Sequence, residues 1–146
     1  MIELFKSNKG ISMIILGVTI MIMIIISSIV VYNINYALKV KQLTNMYNDI
    51  ELLQDRISIY YSKYGGIPVK GEQLPSTIIP EESKDPTDND VYYQIDTQAL
   101  ENITLTYGRK GNGNELDIYI INEKTHVIYY PKGIENDGMI IYKLNR

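Results

Sequence analysis

Few residues in this chain could do chemistry, and their types narrow its function before any fold is considered. None of the 146 residues is cysteine and one is histidine, His126. Disulfides, thiolate catalysis and Cys-based metal sites are excluded, as is any multi-histidine metal site. His126 lies in the run "HVIYY" with no serine near it in sequence, and it reads as a surface residue of a strand rather than a general base. The densest group of ligand atoms is acidic: Glu81, Glu82, Asp85, Asp88 and Asp90. Carboxylate oxygens suit calcium, which makes Asp85, Asp88 and Asp90 the candidates for a metal site. Their spacing departs from the D-x-[DN]-x-[DN]-G pattern, and a solvated loop without metal is the preferred reading. "GRKGNG" at 108–113 has the glycines of a phosphate loop without its spacing or following helix, so it reads as a hairpin turn. Asn102-Ile103-Thr104 matches a glycosylation sequon at what reads as a strand start. No nucleophile–base pair is visible, so no cofactor is expected and an enzyme is the least supported class.

The elements that position these residues begin with an apolar run. From Met13 to Tyr32 there are twenty residues without a charge, dominated by Ile, Met and Val. At about 1.5 Å per helical residue they span about 30 Å, the hydrocarbon thickness of a bilayer. A secretory signal has an apolar stretch of only about 7–15 residues before a small-residue cleavage site. Here the run is longer, and its far end, Tyr32-Asn33-Ile34-Asn35-Tyr36, has no A-x-A pattern. The segment is expected to remain with the protein as a membrane helix, with Ser27-Ser28 allowing close packing against other helices. Charged residues make up 21% of the chain and the net charge is −3. That balance supplies no basic face, so no nucleic acid is expected as a partner. Thirteen Tyr beside one Phe and no Trp fits amphipathic strand faces.

Past the anchor, Tyr32 to Tyr64 contains no proline or glycine, and apolar residues recur at gaps of three and four. The stripe Tyr47, Ile50, Leu53, Ile57, Tyr61 is helical in period, with Lys39, Lys41, Asp49, Glu51, Asp55 and Lys63 reading as the solvated face. Gly65-Gly66 and Pro68 should end this helix. The simplest arrangement is one continuous helix from Ile11 to Tyr64; a hinge near Asn33–Asn35 is the alternative. Residues 65–90 carry four prolines and read as a long loop. From Val91 the period becomes two, in "VYYQI", "ITLTY", "LDIYII", "HVIYY" and "MIIYKL". The last three should form an antiparallel meander with one apolar face covered by the helix stripe. The expected fold class is α+β: a long N-terminal helix packed on a small C-terminal antiparallel sheet. Ile50→Asp and Ile57→Asp should unfold it, whereas Lys41→Asp and Asp49→Lys should be tolerated.

These features together resemble the type IV prepilins, including minor pilins and the pseudopilins of type II secretion. A short charged leader ends in Lys9-Gly10, and a long apolar helix then runs into a small α+β head. "KGISMIILGVTI" at 9–20 is similar to the "KGISLIxLxxTI" openings of prepilin-like proteins of Gram-positive bacteria. "ISIYYSKYGGIP" is similar to the pseudopilin end-of-helix pattern, and "KDPTDNDVYYQID" to the Asp-Pro loop before the first strand. The resemblance implies cutting by a prepilin peptidase between Gly10 and Ile11, next to Lys9, with N-methylation of the new terminus. It divides the chain into a leader (1–10), a transmembrane helix (11–32), an amphipathic stalk (33–64) and a head (65–146). It also implies a single-pass protein of the cell membrane with a cytoplasmic N-terminus and an extracytoplasmic head. Its partners would be the membrane, the peptidase and other pilin-like subunits.

One departure bears on the role. Most members carry Glu at the fifth residue after the cut, where it pairs with a neighbour's terminal amine; here that position is Ile15. An amine without a counter-charge in an apolar bundle is costly. The resemblance therefore implies a minor or terminal component of a pilus or secretion-like filament. The alternative is an anchored extracytoplasmic binding module that does not polymerise.

Overall fold

In the computed structural model of the protein, the backbone is described for residues 3–109 and 115–145, and side chains for 12–109 and 115–145. Lys9, Gly10 and Ile11 fall before the residues whose side chains are described, and residues 110–113 of the "GRKGNG" turn lie outside the described residues. The main element is helix α1, Glu3–Tyr64. Helical structure continues through Asn33 and Asn35, so there is no hinge there. It ends where Gly65 turns left-handed (φ 73°), its N–H donating to the Tyr61 carbonyl at 2.8 Å, as a glycine cap does. Along the chain there are two compact units, Met1–Leu38 and Lys39–Arg146.

In the first unit the helix is long and apolar enough to cross a membrane, with mean hydropathy 3.0 over its most apolar window and none of that window buried. Its described polar side chains are partly self-satisfied. Thr19 Oγ1 donates to the Leu16 carbonyl and Ser28 Oγ to the Ile24 carbonyl, each at 2.8 Å. Such back-bonding removes hydroxyl donors that hydrocarbon could not serve.

In the second unit, α1 buries Met46, Ile50, Leu53 and Ile57. Burying one such side chain fully stabilises by about 1.5–3 kcal/mol, so this stripe holds the head together. It differs from the expected stripe at both ends: Tyr47 is half-buried and Tyr61 is exposed. Strands β1 (Val69–Leu74), β2 (Tyr92–Ile95), β3 (Ile120–Asn122) and β4 (Ile128–Tyr129) form an antiparallel sheet in that order. Strands β5 (Ile134–Asn136) and β6 (Met139–Ile141) form a separate two-stranded sheet.

The sheet corrects several expectations. "VKGEQL" is strand rather than loop: an exposed edge whose register shifts around Gly71 (φ 79°), a bulge that hides the alternation. "MIIYKL" does not continue the meander. Its first residues pair with β5 across Asp137-Gly138 (φ 49° and 80°), a two-residue hairpin loop with both residues left-handed. The sheet also has two apolar faces rather than one. Ile95, Ile121, Ile128 and Tyr130 pack with the helix stripe. Tyr92, Ile118, Ile120 and Tyr129 pack instead with Ile79 and the half-buried Ile78 and Leu74. The proline-rich segment thus supplies the cover for the second face.

"ITLTY" is not a strand, and Asp49 is not solvated; one contact explains both. Asp49 is 3% exposed. Both of its carboxylate oxygens accept the Thr106 N–H at 2.9 Å, and Oδ2 also accepts the Tyr107 N–H at 2.9 Å and the Tyr119 hydroxyl at 2.8 Å. Backbone donors that would have joined a ladder are taken by a helix side chain. Asp49→Ala should therefore destabilise the head by about 3 kcal/mol or more, leaving buried donors unserved, and Asp49→Lys should do so more severely. Ile50→Asp should unfold it, while Lys41→Asp, at an exposed position, should stay within about 0.5 kcal/mol. Hydrogen-exchange protection of the β2–β3 amides in the detergent-solubilised chain reads all four. Native protection in Asp49→Ala would contradict the assignment.

Candidate functional site

On the apolar half of α1 the sequence confines what can happen. Ile15 is exposed on the helix, and no acidic residue occurs between Ile11 and Asn48. The first carboxylate after Glu3 is Asp49, which is buried in the head and committed to its own donors.

The acidic loop leads into β2, and its carboxylates address different partners. Asp85 Oδ1 accepts from the Thr87 N–H at 3.0 Å and the Thr87 hydroxyl at 2.6 Å, and Lys143 stands 3.7 Å from Oδ2. The Thr87 hydrogen bonds, the hydroxyl first, hold the Asp85 carboxyl below the usual carboxylate range. Asp90 accepts from Lys84 at 2.7 Å, and Glu81 meets the same ammonium at 2.6 Å. These two carboxylates push the Lys84 ammonium above its ordinary value, Asp90 contributing more. Asp88 turns inward. Its Oδ2 accepts the Tyr129 hydroxyl at 2.6 Å and the Tyr92 hydroxyl at 3.0 Å, and its Oδ1 accepts Thr125 Oγ1 at 2.5 Å. Of the three aspartates singled out for a metal, Asp88 thus fastens the loop to β2, β4 and the β3–β4 turn, while the Asp85 and Asp90 carboxylates bond to Thr87, Lys84 and Lys143. Among the described residues no three His, Cys, Asp or Glu side chains are grouped to hold a metal ion.

His126 is at the surface but in a turn, not a strand, with φ 58°. Buried Asn122 builds that turn: its Oδ1 accepts the N–H groups of Lys124 and Thr125 at 3.0 Å, and its carbonyl accepts the His126 N–H at 3.0 Å. The imidazole faces the Tyr61 ring at 5.5 Å, at a groove of about 740 Å³ that Ser58, Ser62, Asp85 and Lys143 also line. Ser62 Oγ donates to the Ser58 carbonyl at 2.9 Å, so this hydroxyl is spent on the helix. The groove carries an aromatic pair, and its ammonium and carboxylate, Lys143 and Asp85, face each other at 3.7 Å.

Sequence reasoning missed Asp49 and the hydroxyls that gather on Asp88. Asp49 directly precedes Ile50 and falls between Met46 and Leu53 on the buried stripe, and that position was the available signal. Asp88 had none, since Thr125 and Tyr129 are 37 and 41 residues away.

Tyrosines carry most of the head's electrostatic sensitivity. Burial, with the Asp88 carboxylate second, pushes the Tyr92 and Tyr129 phenols well above their ordinary value. Burial does the same to Tyr119 with Asp49 beside it, and to Tyr130, whose hydroxyl donates to Asp117 at 2.7 Å. Tyr107 is raised as well, again by burial first. A phenol with a raised folded pKa contributes stability that is complete below its unfolded value, near 10. That contribution is lost as pH climbs through the folded value. Asp85 acts in the opposite sense, its contribution present above the usual carboxylate value and lost as pH falls below it. The head should therefore be stable across neutral pH and unfold in alkali above pH of about 10. Ionisation of these five phenols should coincide with loss of far-UV circular dichroism. Complete tyrosinate absorbance in a chain that keeps its native spectrum would refute this.

No protein-family model, curated protein or solved structure matches this chain.

Proposed function

We propose that the chain is a membrane-anchored, pilin-like structural subunit, cut after Gly10 and used as a minor component of a type IV pilus or type II secretion-like filament. One observation carries the reading. A single helix, α1, has an apolar half whose described side chains are exposed and uncharged, and its other half forms the core of an α+β head. An exposed apolar helix must be covered, by lipid before assembly and by neighbouring helices after it. The Lys9-Gly10-Ile11 junction, similar to prepilin openings, supports a peptidase as partner and a methylated Ile11 as product. On this reading the leader is cytoplasmic and the head extracytoplasmic. The role is structural rather than enzymatic.

A second reading, an anchored binding module that never polymerises, draws on the groove beside Tyr61 and His126 and on Ile15. In a bundle of helices a buried amine needs a negative charge, because an ion without a partner in hydrocarbon costs several kcal/mol. Ile15 cannot supply it, so abundant homopolymers are disfavoured on either reading.

Mass spectrometry of protein extracted from the native membrane should show loss of residues 1–10, with Gly10→Val retaining them. A mature chain that still begins at Met1 in a host with active peptidase would leave the binding module in place. In filament preparations the chain should be rare beside Glu-bearing subunits, and Ile15→Glu should raise its incorporation. Its recovery as the dominant subunit would overturn the minor role.

A further inference from the structure

Arg56 is a half-buried cation to which the fold gives no counter-charge. Its Nε is buried and donates to nothing, and among the described residues its guanidinium enters no ion pair. The cation–ring contacts of the head belong to Lys63 and Lys143. Three and four residues away along α1 stand Leu52, Leu53, Ile59 and Tyr60, so the helix offers it no carboxylate. Asp55 is exposed about 100° around the axis. Asp49, two turns back, is filled by its own donors, the Thr106 and Tyr107 amides and the Tyr119 hydroxyl. Arg109, by contrast, spends its Nε on the Leu105 carbonyl. Buried donors in native folds are nearly always served, and an unserved one on a cation weakens the fold. A group kept under that penalty calls for an acceptor from outside the chain.

We propose that Arg56 anchors a binding site for a monocarboxylate that carries an apolar group. The site is a pocket of about 90 Å³ between one face of α1 and residues 99–102, wholly within the head. Arg56, Ile59, Tyr60, Lys63 and Tyr64 fall on that face at helical spacing, and Glu101 joins them from the loop. A pocket of this size takes the carboxylate, and the body of the ligand lies outside it. There it rests on Ile59 (53% exposed) and Tyr64 (61%), whose ring stands 4.5 Å from that of Tyr60. The guanidinium fork matches a carboxylate through two parallel N–H···O bonds. Charge limits the ligand to one negative charge. Of the charged residues lining the pocket, Lys63 and Glu101 stand 3.7 Å apart, which leaves Arg56 as the charge to be balanced. A phosphate dianion would bring a second negative charge towards Glu101, which repels it. The carboxylate belongs to a free acid or to the C-terminus of a peptide, since the site reads the same chemistry in both. The inference concerns the head alone and rests on neither processing nor assembly.

The full-length chain in detergent micelles carries its own reporters, the Nε–H resonances of Arg56, Arg109 and Arg146, which are few enough to assign by substitution. Phenylacetate should shift the Arg56 resonance saturably, leave that of Arg109 in place, and give nuclear Overhauser contacts from its ring to the Ile59 methyls. Phenylacetamide, neutral and of the same shape, should bind at least about tenfold more weakly, and phenyl phosphate no more tightly than phenylacetate. Arg56→Gln should abolish binding without lowering the melting temperature, because it removes an unserved donor. Arg56→Lys keeps the charge without the fork and should bind more weakly than the native chain. Glu101→Gln should tighten phenylacetate binding by releasing Lys63. Acetyl-Gly-Phe with a free terminus binding more tightly than phenylacetate would give the site to peptide ends, and the reverse order to free acids. An Arg56 resonance that does not shift saturably would overturn the proposal. So would equal affinity for phenylacetamide, which is apolar adsorption, or tighter binding of phenyl phosphate, which is a dianion site. These readings use the native chain and stand even where a variant fails to fold. A folded Arg56→Gln that binds phenylacetate as the native chain does would overturn it as well.

Discussion

Asp49 is the constraint on which the head depends. Withdrawing a carboxylate from water costs several kcal/mol even after relaxation, and no cation lies within ion-pairing distance of it among the described residues. The compensation comes from two backbone N–H groups and one hydroxyl. Hydrogen bonds to a charged acceptor contribute about 1.5–3 kcal/mol each, so the group is offset only while all three donors stay in place. The segment around residues 105–109 has no ladder of its own. Asp49 holds its middle, Asp117 accepts the Gly108 N–H at 3.0 Å, and the Leu105 carbonyl accepts from Arg109 Nε. Removing one member therefore exposes the others, and the helix, the irregular segment and the Tyr119 layer should come apart together.

The same device recurs on the opposite face of the sheet. Asp88 gathers two phenols and a threonine hydroxyl as Asp49 gathers two amides and a phenol. The phenols belong to Tyr92 and Tyr129, whose rings meet edge to face at 5.8 Å. Such a tyrosine fills a core layer with its ring and satisfies a carboxylate with its hydroxyl. Phenylalanine could do only the first. Tyr92, Tyr119, Tyr129 and Tyr130 all play this double part, and the packing of both faces depends on their protonated phenols.

Much of the helix was legible because its determinants are local. Apolar period, absence of breakers, Gly65 and Pro68 lie within the element they specify, and α1 ends as they require. The sheet was legible only in part. β2, β3 and β4 carry dense apolar runs, whereas β1 is an exposed edge with a bulge at Gly71, and β5 holds one buried residue, Ile134. "ITLTY" alternates as a strand does, yet its amides are claimed from 57 and 58 residues away. No local pattern reveals a distant carboxylate. Asp49 was misread for the related reason that a charged residue is by default solvated. The acidic loop was recognised as a cluster, but its role lies in hydroxyls that only the fold brings to it. The processing reading at Lys9-Gly10-Ile11 rests solely on similarity to prepilin openings.

The proposed role adds a constraint of its own to this distribution of charge. Between Ile11 and Asn48 the chain offers lipid or neighbouring helices no negative charge. The first carboxylate beyond that stretch is locked in the head by three donors. It cannot be lent to a neighbour's amine without dismantling the core. A partner subunit packed along this helix must therefore bring its own counter-charge or do without one, while apolar packing is available along the whole run. On the proposed reading no charged pair along this run fixes the register of an assembly, and the task falls to the head, which offers the groove beside Tyr61 and His126 and the exposed edge of β1. On the proposed reading the helix supplies adhesion to lipid and to other helices, and the head supplies the address.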